Sequence, residues 1–167
     1  MRNKGFTLIE LLTVAAILAV LGTIVVSVIT VTLRGTKKTD LLEIARQNGD
    51  TALSQMVRGI RYAASLDNPT SCVPSKSVGS ITVTSVTTHI QTTYSCNAGT
   101  ITSNNVSLFN TTTLNVSSCS FTCMQTTVNN PPTITIQYSL SPALTGSFAE
   151  TKFNLPFQSS VTMRNVQ

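Results

Sequence analysis

The chain contains no tryptophan, one histidine and only 10% charged residues, and aromatic side chains make up 5% of its 167 residues. Soluble enzymes usually carry about a quarter charged residues, so this inventory argues against one. His89 falls in an expected strand, where it reads as an exposed or cross-strand residue. No phosphate-binding glycine loop, nucleophile elbow or zinc-protease motif occurs. Beyond residue 66 the only acids are Asp67 and Glu150, which have no spacing suited to acid–base work. The cations there are Lys76, Lys152 and Arg164, too few for a basic stripe, so nucleic acid is not an expected partner. Neither catalysis nor a cofactor is expected. Disorder is excluded as well, because 41% apolar content with a net charge of +5 can bury a core.

What is present is unevenly placed. Threonine and serine supply 28 and 19 residues, and most of the charge lies before residue 67. Phe6 to Leu33 is a run of 28 residues with one charge, Glu10. As a helix it would span ~42 Å, more than the ~30 Å hydrocarbon core of a membrane. Thr23 to Thr32 is rich in β-branched residues, mediocre helix formers in water. In lipid, helix is still expected, because unpaired backbone groups are costly there. Gly22 is a place where the helix could loosen. The preceding MRNKG is too short for an ordinary secretory n-region, and no A-x-A site follows the run convincingly. Arg2 and Lys4 precede the run while Arg34, Lys37 and Lys38 follow it, so the charge bias sets orientation only weakly. Glu10 is costly if it sits deep, at ~2.5–3.5 kcal/mol. A partner within the membrane and solvation at the interface both remain open for it.

Lys4-Gly5-Phe6-Thr7-Leu8-Ile9-Glu10, followed by an apolar run, resembles the class III signal of type IV pilins and type II secretion pseudopilins. The resemblance implies that a prepilin peptidase cuts after Gly5 and that the new N-terminal Phe6 is N-methylated. It implies that Glu10 pairs with the N-terminal amine of a neighbouring subunit during filament assembly. Cleavage would remove Arg2 and Lys4 and place a cationic amine at Phe6, and a buried carboxylate is tolerable when it meets such a cation. No proline occurs between Met1 and Asn68, whereas many major pilins have one in the apolar helix. That leans toward a minor pilin or minor pseudopilin.

Residues 36–66 carry Leu42, Ala45, Gly49, Leu53, Met56, Ile60 and Ala63/Ala64 at helical spacing. This predicts an amphipathic continuation of the helix to about Leu66, stopped by Asp67-Asn68-Pro69. Gly35, Gly49 and Gly59 read as soft points, and Arg46, Arg58 and Arg61 as a solvated face. The rest reads as short strands at Val78–Thr87, His89–Ser95, Val106–Phe109, Thr113–Val116, Thr133–Leu140 and Phe157–Arg164, separated by Asn, Gly and Pro. Ile134, Ile136, Tyr138 and Leu140 alternate onto one face. An antiparallel sheet with one face on the helix and one in water is expected. The Thr-rich outer faces read as a surface covered by neighbours or glycans, or, by the preferred reading, as threonine used simply as a good strand former.

Four cysteines, Cys72, Cys96, Cys119 and Cys123, lie beyond the apolar run, and their even number suggests two disulfides. Three connectivities are possible. The preferred one is Cys72–Cys96 with Cys119–Cys123, and a zinc site is the rival. The N-x-S/T patterns at Asn105, Asn110 and Asn115 read as loop polarity.

The expected fold is α+β. A leader occupies 1–5, a transmembrane or filament-core helix 6–33, its amphipathic continuation 34–66 and a Thr-rich β-sheet head 67–167. The expected role is a structural filament subunit, made as an inner-membrane precursor with its head outside the cytoplasm. Its partners would be other pilin or pseudopilin subunits, prepilin peptidase, and membrane lipid before assembly. The alternatives are a binding subunit at a filament tip, either an adhesin or a DNA-uptake minor pilin, and a membrane-anchored β-domain that never polymerises.

Overall fold

The computed structural model describes residues 7–127, 130–143 and 152–164. Among the described residues, one helix, α1 (Leu8–Arg61), is followed by nine strands: β1 (Ala63–Asn68), β2 (Lys76–Val78), β3 (Ser80–Ser85), β4 (Gln91–Asn97), β5 (Thr100–Ser103), β6 (Val106–Ser107), β7 (Leu114–Met124), β8 (Thr133–Pro142) and β9 (Leu155–Thr162). The chain divides into two compact units, Met1–Asp40 and Leu41–Gln167. In the first, every described side chain is exposed. The second holds the whole hydrophobic core.

In the second unit α1 buries Ala45, Gly49, Ala52, Met56 and Ile60. These recur every three or four residues, so they form one stripe. Its members are mostly small, which lets strands approach the helix closely. The Phe157 ring of β9 occupies the space a Cβ would need at Gly49, and the Tyr94 hydroxyl of β4 occupies that space at Gly59. Gly49 and Gly59 are therefore packing positions rather than the soft points expected from sequence.

The helix packs on two antiparallel sheets where one was expected. Their strand orders are β1-β3-β4-β5-β6 and β2-β7-β8-β9. Period-two burial explains both. Ile81, Val83, Tyr94 and Ile101 point inward from the first sheet, and Phe121, Ile134, Ile136, Tyr138, Leu140 and Val161 from the second. The outward rows are polar. Thr82 meets Thr93 at 3.0 Å, Thr133 meets Thr162 at 2.9 Å and Thr135 meets Ser160 at 2.8 Å. Such cross-strand hydroxyl pairs let uncharged threonine line an exposed face. The tight turns follow the expected separators. Gly99 has φ 80°, and Asn104 and Asn105, with φ 49° and 67°, close the β5–β6 hairpin.

Three local expectations are corrected. The helix ends at Arg61 instead of Leu66, and Ala63–Asn68 is a strand. Tertiary pairing wins there: β1 pairs with β3, the Arg164 N–H donates to the Arg61 carbonyl, and the Val86 N–H donates to the Tyr62 carbonyl. The Asn68-Pro69 stop thus ends a strand, not a helix. His89 lies in the β3–β4 turn with φ 52°, so β4 starts only at Gln91.

The third correction concerns the disulfides. They are Cys72–Cys123 and Cys96–Cys119, with Cα separations of 5.3 and 5.7 Å. Cys119 and Cys123 sit four residues apart on β7, roughly 13 Å along an extended strand, too far to bond each other. Cys96 of β4 reaches Cys119 of β7, so that bridge ties one sheet to the other. All four cysteines are taken, which leaves none for zinc.

Candidate assembly signal on the apolar helix

The expected cleavage position Gly5–Phe6 and the expected methylation position Phe6 lie outside the described residues. The described residues begin at Thr7, which caps α1. Its carbonyl accepts from the N–H groups of Glu10 and Leu11 at 3.1 and 3.3 Å. Its hydroxyl oxygen accepts from the Glu10 N–H at 3.4 Å. Thr-x-x-Glu is the capping-box spacing, and it places the Glu10 carboxylate in the first turn, where the helix N–H groups favour negative charge. In the sequence alone Thr7 reads only as part of the signal. The three-residue spacing to Glu10 was the cue to its capping role.

From Leu8 to Leu33 sixteen large apolar side chains are 49–79% exposed. Scattered exposed hydrophobics are ordinary, but a contiguous sleeve of this size marks a surface made for lipid or another protein. The helix is long and apolar enough to cross a membrane. Its hydroxyls do not spoil that sleeve. Thr13 donates to the Glu10 carbonyl at 3.0 Å, Thr23 to Val20 at 2.8 Å and Ser27 to Ile24 at 2.7 Å. Thr30 donates to Val26 at 2.8 Å and Thr32 to Val28 at 2.9 Å. Every one of these donors is satisfied inside its own helix, which is what an apolar medium requires.

In the second unit the cysteines serve the core. Among the described residues no group of three or more His, Cys, Asp or Glu could hold a metal ion. Two buried tyrosines have pKa values pushed up, Tyr94 by burial and Tyr138 by burial first and by nearby Asp50 second. The Tyr138 hydroxyl donates to the Gly49 carbonyl at 2.7 Å. The bond locks sheet to helix and has no reacting partner.

The family model for the prokaryotic N-terminal methylation motif matches residues 1–26. No curated protein and no solved structure matches the chain at a significant level. The chain carries a prepilin-type N-terminal methylation signal on a long helix that packs on antiparallel β-sheets, a combination consistent with the type IV pilin and pseudopilin family.

Proposed function

We propose that this protein is a structural subunit of a type IV pilus or a type II secretion-like filament. The observation that carries the reading is the sleeve of exposed apolar side chains on α1, directly behind the methylation motif. Burying that sleeve is favourable at roughly 25 cal/mol per Å². In the precursor lipid covers it, and in the filament the equivalent helices of other copies do. Prepilin peptidase cuts between Gly5 and Phe6, Phe6 is N-methylated, and Glu10 compensates the new amine of an adjoining subunit. The head lies outside the cytoplasm, in keeping with its two disulfides. The final location is an extracellular or periplasmic filament.

Intact mass and N-terminal peptide sequencing of the protein from its native host test the first step. The expected chain starts at N-methylated Phe6. A chain starting at Met1 in cells with working prepilin peptidase would defeat the reading. Glu10→Val tests the second step: it should leave cleavage intact and abolish incorporation into filaments. Normal filament yield from the Glu10→Val subunit would remove Glu10 from assembly.

A further inference from the structure

Three cations stand just past the apolar run, on the side where the common charge bias of membrane proteins would place few. Arg34, Lys37 and Lys38 are all exposed and lie within α1. Their spacing of three and four residues puts them on one helix face, within roughly 6 Å along the axis. Gly35 does not break the helix there. Thr36 and Thr39 turn their hydroxyls back to the carbonyls of Leu33 and Gly35, at 3.1 Å each, and so leave the charged face to the cations. The nearest acids in sequence are Asp40, three residues past Lys37, and Glu43, five past Lys38, and the stretch from Arg34 to Asp40 keeps an excess of positive charge.

On the other side of the run stand only Arg2 and Lys4, and both depart with the leader if the chain is cut after Gly5. The mature chain then keeps side-chain cations at one border of its apolar segment alone. We propose that Arg34, Lys37 and Lys38 form a binding site for the phosphate headgroups of anionic lipid in the leaflet facing the head. The site is the electrostatic anchor of the mature subunit until it leaves the membrane. A guanidinium grips phosphate oxygens in pairs, and the two lysines add mobile point charges on long stems. Each cation at an anionic surface is worth roughly fivefold in affinity. The proposal rests on the membrane-inserted precursor of the preceding section.

The absence of tryptophan makes the test direct. Leu33→Trp, at an exposed position beside the triad, gives the full-length chain one indole. The chain is reconstituted in vesicles of phosphatidylcholine and phosphatidylglycerol, with bromine on the acyl chains of one lipid or the other. Brominated phosphatidylglycerol should quench the indole in preference to brominated phosphatidylcholine. In R34Q/K37Q/K38Q that preference should vanish, in single Gln variants it should fall by up to about fivefold each, and in Arg34→Lys it should persist. Equal quenching by the two lipids in the parent chain overturns the proposal. So does loss of the preference on adding inorganic phosphate at matched ionic strength, which would mean a free-anion site. No quenching by either lipid means that the segment does not insert, and the membrane reading fails with it.

Discussion

Gly22 and Gly35 lie in the same helix as Gly49, yet a Cβ would meet open space at the first two and the Phe157 ring at the third. The contrast holds for the whole chain. Before Asp40, the Thr and Ser hydroxyls bond back to carbonyls of their own helix, and the large apolar side chains are exposed. After Leu41 the same helix meets two sheets, and small residues become contact points. One half of α1 is written for its own domain. The other half keeps its large apolar side chains exposed. Substitutions in the two halves should therefore separate folding of the head from behaviour in membrane or filament.

The largest separation is expected from Phe121→Ala against Leu18→Ala. Phe121 is fully buried in the core, and its truncation should cost about 3–5 kcal/mol in urea unfolding of the head. Leu18 is 63% exposed, so Leu18→Ala should leave that transition unmoved. If Leu18→Ala lowered head stability as much, the two regions would not be independent.

The disulfides sharpen the picture within the head. Removing Cys72–Cys123 opens a separation of 51 residues and removing Cys96–Cys119 one of 23. Chain entropy puts these losses at about 4 and about 3.4 kcal/mol. Double Ser variants, measured by thermal unfolding, should rank in that order. Proteolytic mapping without reduction should recover these two linked peptide pairs, and recovery of a Cys72–Cys96 peptide would contradict the fold.

The glycines test the comparison most directly. Gly49→Ala must push aside Phe157 and should cost about 1–3 kcal/mol. Gly22→Ala and Gly35→Ala meet open space and should raise helix stability, by up to about 1 kcal/mol each. Circular dichroism of the full chain in micelles, combined with head unfolding, reads both effects.

How much of this was legible follows the same division. The apolar run, its single carboxylate and the methylation signal are local in sequence, so they could be read directly. The β4–β5 and β5–β6 turns were marked by Gly99 and by Asn104-Asn105 for the same reason. What escaped was set by contacts distant in sequence. Ala63–Asn68 continues a helical pattern, and only its pairing with β3 makes it a strand. Cys119 and Cys123 look like natural partners until both are placed on one extended strand. Gly49 looks like a weak point until Phe157, more than a hundred residues away, fills its missing side chain. β5 is only four residues long, and its Thr-Ile-Thr-Ser carries too little pattern to stand out.

Another small expected effect has the clearest sign. Tyr138 is almost fully buried, stacks on Phe157 with centroids 5.1 Å apart, and donates its hydroxyl proton to the Gly49 carbonyl. Tyr138→Phe should cost only about 0.5–1.5 kcal/mol at neutral pH. Burial, and then the negative charge of Asp50, push its pKa up, and a backbone bond at Leu53 opposes them only in part. For an acid with a raised pKa in the folded state, the proton is held more tightly folded than unfolded. Its contribution is therefore complete below the unfolded value, near pH 10, and is lost as pH climbs from there toward the folded value. The slope approaches about 1.4 kcal/mol per pH unit for this one group. Tyr94, also raised by burial, adds to the alkaline decline and is untouched by the substitution. Tyr138→Phe should thus flatten the fall in head stability above pH 10 without removing it, while the apolar half of α1, which has no tyrosine, keeps its helicity through the same titration. An alkaline decline identical in Tyr138→Phe and the parent chain would show that this hydroxyl does not lock sheet to helix.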